Sequence, residues 1–293
     1  MGGFSYQLVE EVAKEIYIRA LKQLPPDVVT ALQHAHNSES DETARGILQT
    51  ILQNIDIARD RNLLLCQDTG LPVYLVKIGS GFAADGARIA AALHSGAKRA
   101  TLEHPFRGSS THPLTRVNPQ NSVGRGLPVI HWEFDQDADT LDILIIPKGS
   151  GSENMSAMKM FIPADGVKAL KKFVLDTVVD SGGNPCPPGI IGVGIGGTAD
   201  LVGVLAKKAL ARAVGSTNPD PQLAQMENDL LLAINGTGIG PMGLGGDTTA
   251  LAVHIESAYT HMTLNPVAVN TQCWAARRSR AVIHRNGQVD YGY

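Results

Sequence analysis

Three cysteines constrain this chain more than any other feature: Cys66, Cys186 and Cys273, no two of them within eighty residues of each other. Each lies on a segment whose neighbours restrict the backbone: Cys66-Gln67-Asp68-Thr69-Gly70, Pro185-Cys186-Pro187-Pro188 and Asn270-Thr271-Gln272-Cys273-Trp274. The prolines around Cys186 fix φ and, lacking N–H groups, cannot donate to its sulfur, while Gly70 permits a tight turn after Cys66. An odd number of widely spaced cysteines argues against a disulfide framework. Structural zinc usually shows close pairs such as Cys-x-x-Cys, and the chain has none. Three lone thiolates fit an iron–sulfur cluster better, because four normally hold a 4Fe-4S centre and three leave one iron open to solvent or substrate. An open iron is a Lewis acid able to coordinate a carboxylate and a hydroxyl. On spacing alone, the alternative that the thiols are small buried hydrophobes stays open.

The net charge of −3 gives no general attraction to nucleic acid, so an anionic ligand needs a local cluster of cations, which favours a small anion over a polymer. Apolar stretches such as Leu144-Ile145-Ile146 and the Gly-interrupted run from Ile190 to Ile195 fall far short of the ~20 residues of a membrane span. The start, Met1-Gly2-Gly3-Phe4, leads into a charged amphipathic pattern with no basic region followed by an apolar one, so a cytoplasmic location is expected. Myristoylation would want Ser or Thr where Tyr6 stands.

Along the chain, Leu8, Val12, Ile16 and Ala20 share one helical face in a helix over Phe4 to Leu21. Pro25-Pro26 breaks it, a second short helix follows, and a third carries Ile47, Leu48, Ile51, Leu52 and Ile55. Leu63 to Cys66 and Leu71 to Ile78 read as strands around the polar turn Gln67 to Gly70, with Cys66 at a strand end. Asp85 to Thr101 is helical, and Glu103 to Gly126 is a long functional loop. Val129 to Phe134 and Leu141 to Ile146 give a hairpin signal, followed by a Gly-Ser loop from Lys148 to Asn154. Pro163 opens a helix through Val179, Gly182-Gly183 ends it, and a rigid loop presents Cys186. Ile190 to Ile195 is a buried strand, Thr198 to Val214 and Pro219 to Ile234 are helices, and Ala250 to Ile255, Val267 to Trp274 and a hairpin around Asn286-Gly287 complete the pattern. Intermixed helices and strands without repeat or linker predict an α/β (mixed α+β) fold, one domain over 1–293 with a helical N-terminal subdomain over about 1–60.

Five segments occur in this order in one family: Leu65 to Gly70, Lys148-Gly149-Ser150-Gly151-Ser152-Glu153-Asn154, Cys186-Pro187-Pro188, Gly192 to Thr198 and Val269 to Trp274. Over nearly its whole length the chain resembles the α subunit of class I fumarases and of L-tartrate dehydratase. The resemblance implies the fold of the class I fumarase N-terminal domain and a 4Fe-4S cluster with one open iron, held by Cys66, Cys186 and Cys273. It also implies substrate contacts at Gln67, Arg107 and Gly151, and catalytic roles for Asp68 and His261. The chemistry agrees: Arg107, Gln67 and the Gly151 backbone offer donors to the two ends of a dicarboxylate. Asp68 is suited to orienting a neighbouring base or acid, and His261 to bonding a carboxylate or relaying a proton. The loop reads Gly-Ser-Gly where the family often has three consecutive glycines. Single-chain class I fumarases carry a further C-terminal domain with the catalytic base, whereas this chain stops at Tyr293. The expectation is therefore the two-subunit form, completed by a separate β subunit. Reversible hydration of fumarate to L-malate is the first expectation, with L(+)-tartrate dehydration as the alternative and a non-catalytic iron–sulfur or zinc protein as the bland reading.

Other motifs are weaker. Gly192-x-Gly194-x-x-Gly197 matches the dinucleotide fingerprint, but no acidic residue ends a second strand ~20 residues later, and close strand–helix packing is the better reading. The glycines of 236–246 lack the Gly-Lys-Ser/Thr ending of a P-loop and read as a turn or partner-facing loop. His104, His112 and His131 share no metal spacing. Arg277-Arg278-Ser279-Arg280 reads as a solvated strand face or a contact with the partner chain.

Overall fold

The computed structural model describes residues 3–293. In chain order the elements are α1 (Tyr6–Lys22), α2 (Pro26–Ser38), α3 (Glu42–Asp60), β1 (Leu71–Gly79), α4 (Gly86–Glu103), β2 (Val129–Asp135), β3 (Leu141–Lys148), α5 (Ser150–Glu153), β4 (Ala157–Phe161), α6 (Gly166–Ser181), β5 (Gly189–Gly196), α7 (Ala199–Ala209), α8 (Pro221–Asn235), β6 (Ala250–Ala258), β7 (Asn265–Gln272), β8 (Ser279–Ile283) and β9 (Val289–Gly292). The fold is α/β, as its sequence pattern predicts, and it forms two compact units interleaved along the chain. The first comprises the chain up to Pro25, Ile57–Gly149 and Arg277–Tyr293; the second comprises Pro26–Asp56 and Ser150–Ala276.

In the first unit a five-stranded sheet runs β2-β1-β3-β8-β9, with β1 and β2 parallel and the remaining pairs antiparallel. The expected hairpin of β2 and β3 does not form, because β1 lies between them: Tyr74 faces Ile130 of β2 on one side and Ile145 of β3 on the other. The reason lies in β1 itself, where Val73, Tyr74, Val76 and Ile78 are all buried, so the strand gains most at the sheet centre. Helices α1 and α4 pack with this sheet, and Val9, Val12, Ile16, Ile89 and Leu93 join Ile143 and Ile145 in one core. Each such side chain contributes about 1.5–3 kcal/mol when fully buried. Ser5 caps α1 by accepting from the N–H of Leu8, and Asp85 caps α4 by accepting from that of Ala87.

The second unit has a four-stranded sheet in the order β4-β7-β5-β6, with β5 and β6 parallel. Successive residues of β5 point to opposite faces. Ile191 and Val193 join Val174 of α6 and Leu230 of α8 in one core, while Gly192 and Gly194 meet α7, where an added Cβ would strike the carbonyls of Ala206 and Val202. These glycines therefore serve close strand–helix packing. Pro163 opens a 3-10 turn rather than α6 itself, and Gly182, at φ 50°, closes the helix. Among the described residues no helix is long and apolar enough to cross a membrane.

Candidate active site

The Cys66 segment of the first unit is not a strand end. Residues 61–70 are irregular, because the N–H of Leu65 bonds the carbonyl of Leu21 at 2.9 Å rather than a strand partner. The turn that follows is fixed from several sides. Asp68 Oδ1 accepts the N–H of Gly70 at 2.9 Å, an Asx turn closed by its own side chain. Gly70 sits at φ 67°, and a Cβ there would lie 2.8 Å from the carbonyl oxygen of Lys148, so only glycine fits. The hydroxyl of buried Tyr17 stands 3.3 Å from the carbonyl oxygen of Thr69, 3.2 Å from that of Gly70 and 3.3 Å from Ser122 Oγ. Burial pushes the Tyr17 phenol up to about 12, the Ser122 bond opposing the shift, so it stays a neutral donor.

Thr69 links this turn to the loop carrying Arg107: its Oγ1 donates to the Arg107 carbonyl at 3.1 Å and lies 3.2 Å from the Arg107 N–H. The long loop is ordered, with Ser110 Oγ donating to Asn121 at 2.7 Å and Asn118 Nδ2 to Gly108 at 2.6 Å. Cys66 and Asp68 are half-buried, and Gln67 and Arg107 are exposed. Thr69 therefore holds the segment carrying Cys66, Gln67 and Asp68 against the backbone of Arg107 within one unit.

Arg277 and Arg278 overturn one expectation: with Ser279 they are buried, at 2 % and 4 % exposure, so neither lies on a solvated face. Arg277 Nη1 donates to the carbonyl of Asp68 at 2.6 Å. Sequence reasoning missed this residue, although the arginine run was itself the signal. Burying a guanidinium requires compensation, and charge patterning alone does not reveal where that compensation lies.

The second unit gathers Gly151, Cys186 and Cys273. Cys186 is exposed and adopts φ 57°, a conformation uncommon outside glycine, and its N–H bonds the Gly183 carbonyl at 3.0 Å. Its own carbonyl accepts the N–H of Trp274 at 3.0 Å, joining the loop to the residue after Cys273. The half-buried Cys273 Sγ lies 3.6 Å from the carbonyl oxygen of Ala275. Gly151, on the short α5, faces the same loop, since a Cβ there would come within 3.2 Å of the Asn184 carbonyl oxygen. Helix α5 is tied to β7 by Thr271 Oγ1 donating to Ser152 O at 2.9 Å and Asn270 Nδ2 to Glu153 Oε2 at 3.0 Å. Lys207 pairs with Glu153, and burial lowers its pKa against the pull of that carboxylate. Asn270 Oδ1 and Gln272 Oε1, buried beside the Cys273 segment, have no hydrogen-bond partner among the described residues.

His261 is not gathered with these residues. It lies on an exposed loop before β7, whereas Cys273 follows the far end of that strand. An extended strand rises about 3.3 Å per residue, so the two ends of β7 stand roughly 23 Å apart. His261 Nδ1 accepts the N–H of Thr263 at 3.2 Å and lies 2.9 Å from Thr263 Oγ1.

None of the three cysteines is in a disulfide, and among the described residues no three His, Cys, Asp or Glu side chains form a site for a single metal ion. Comparison with known proteins gives the class. The chain belongs to the fumarate hydratase (Fumerase) family, whose sequence model matches residues 10–282, and it is accordingly a hydro-lyase. A relative from Methanocaldococcus jannaschii, provisionally named L(+)-tartrate dehydratase subunit alpha, is 46% identical over 273 residues, 92% of this chain and 96% of its own. The L(+)-tartrate dehydratase subunit alpha of Escherichia coli and that of Shigella boydii are each 34% identical over 262 residues, 89% of this chain and 86% of theirs. The relatives' names thus favour the tartrate alternative over the fumarate expectation.

Proposed function

We propose that this chain is the α subunit of a 4Fe-4S-dependent hydro-lyase that dehydrates L(+)-tartrate and works with a separate β subunit. The observation that carries the reading is the similarity over about nine-tenths of the chain to proteins named as that subunit. The family description supports fumarate hydration as the second reading.

The donor set suits the cluster: three thiols, none in a disulfide and each partly or fully exposed, are the ligand type such clusters take. Cys66, Cys186 and Cys273 would hold it. When bound, a cluster with one open iron supplies a Lewis acid for the departing hydroxyl.

The remaining work falls to this chain and its partner. Arg107 and Gln67 bind one carboxylate of the substrate, the first by charge and the second by its amide N–H. Gly151, which exposes backbone and has no side chain to intrude, approaches the other end. Asp68, held by the Gly70 N–H, orients the group that gives or takes the proton, while the base itself resides on the β subunit. His261, outside the Cys186–Cys273 cluster, acts at most through contacts made by its own exposed loop. The test is co-expression with the β chain without oxygen, followed by parallel assays on L(+)-tartrate, fumarate and L-malate. Turnover of L(+)-tartrate above the other two supports the reading, turnover confined to fumarate and malate transfers it to the second, and turnover of none rejects both.

A further inference from the structure

Arg277 is a cation buried to 2 % exposure in the first unit. Its Nη1 holds the Asp68 carbonyl at 2.6 Å, and its Nε has no hydrogen-bond partner among the described residues. The space between Asp68 and the far edge of the guanidinium exists because residue 149 is glycine. A Cβ there would sit 3.2 Å from Asp68 Oδ2 and 3.5 Å from Arg277 Nη2. Two groups of opposite charge therefore flank one small notch, and the main chain of Asp68 is bonded directly to one of them.

A neutral donor would suffice merely to satisfy a carbonyl. A buried guanidinium with an unmatched N–H lowers stability relative to an apolar side chain of similar size. Groups that cost stability persist where function requires them. The Asp68 carbonyl lies in the Asp68–Thr69 peptide plane, so whatever fixes it also fixes the Cα from which the Asp68 side chain departs, one residue after Gln67.

We propose that Arg277 is a positioning residue for substrate: it aims the Gln67–Asp68 segment and brings a fixed positive charge beside the Asp68 carboxylate where a dicarboxylate binds. The inference rests on the hydro-lyase reading above and adds a residue that the cysteine and loop motifs do not contain. Its effect is on how the segment meets a carboxylate, so it is visible in binding as well as in turnover.

The experiment uses the α–β complex, with and without cluster, and measures by calorimetry the affinity of succinate, a saturated dicarboxylate that cannot be dehydrated. Wild type, Arg277→Lys and Arg277→Met are compared, and each is melted in parallel. Loss of a charge-assisted bond weakens succinate binding roughly ten- to hundredfold in Arg277→Met, whether or not cluster is present. Arg277→Lys, which keeps a charge and one donor, recovers part of that loss while melting near the wild-type temperature. In turnover the same pair shows a raised KM as well as a reduced kcat. Wild-type succinate affinity in both variants overturns the inference and leaves the hydro-lyase reading intact. Unfolding of both variants also overturns it, since the role is then structural. If wild type itself binds neither succinate nor L(+)-tartrate, the inference and the hydro-lyase reading fall together.

Discussion

The backbone N–H of Trp274 donates to the carbonyl of Cys186 across 3.0 Å, tying two cysteine segments 87 residues apart in sequence to one another. The bond is main chain to main chain, so it holds whatever side chains the loops carry. It explains why the Pro185-Cys186-Pro187-Pro188 loop and the end of β7 appear together as motifs: each presents a thiol, and each fixes the other.

The turn after Cys66 depends on glycine at position 70. In Gly70→Ala the new Cβ meets the Lys148 carbonyl at a position of φ 67°, a combination expected to cost about 1–3 kcal/mol. The melting temperature falls by several degrees, read by thermal denaturation, and binding of a saturated dicarboxylate weakens with it. An unchanged melting temperature contradicts this account of the turn.

Tyr17 gives the first unit an alkaline weak point. The folded phenol titrates near 12 and the unfolded one near the ordinary 10.0, so above pH 10 the unfolded state releases a proton that the native state keeps. The native state therefore binds more protons, and stability falls as pH rises. The effect is absent below pH 10 and reaches roughly 3 kcal/mol of lost stability by about pH 12. Tyr17→Phe loses the bonds to the Thr69 turn, so it is less stable at neutral pH, but its denaturation midpoint declines less steeply above pH 10. Parallel slopes for the two proteins remove the assignment.

Asp68 and His261 separate under substitution. Asp68→Asn, in the bonded turn, lowers kcat of the complex by about a hundredfold or more, in line with loss of a group governing proton transfer. His261→Asn leaves kcat within a few fold, because its loop stands at the other end of β7 from Cys273. Equal losses in steady-state assays show instead that His261 reaches the reacting atoms.

Much of this was legible beforehand where the signal is local. Helix α1 follows from the spacing of Val12, Ile16 and Ala20, α4 from the Ala-rich run between Asp85 and Thr101, and the packing role of Gly192 and Gly194 from a strand followed by a helix. The misread elements depend on distant pairing. β2 and β3 flank an acidic turn that resembles a hairpin, yet β1, which ends fifty residues before β2 begins, separates them, and nothing in the turn encodes that. Leu63 to Leu65 has a strand-like composition, but the end of α1 takes the N–H of Leu65. The run Arg277 to Arg280 reads as a solvated face or a partner contact because charge is ordinarily outside. The burial of Arg277 is set by the Asp68 carbonyl, 209 residues away in sequence.

The central claim is that Cys66, Cys186 and Cys273 together hold one inorganic centre open to substrate. The direct measurement is anaerobic reconstitution with iron and sulfide, with iron and zinc analysis and visible spectra recorded before and after L(+)-tartrate. The account predicts about four irons per chain, broad visible absorbance that tartrate perturbs, and loss of both in Cys66→Ser, Cys186→Ser or Cys273→Ser. One tightly held zinc with no iron, or absorbance that survives all three substitutions, contradicts it.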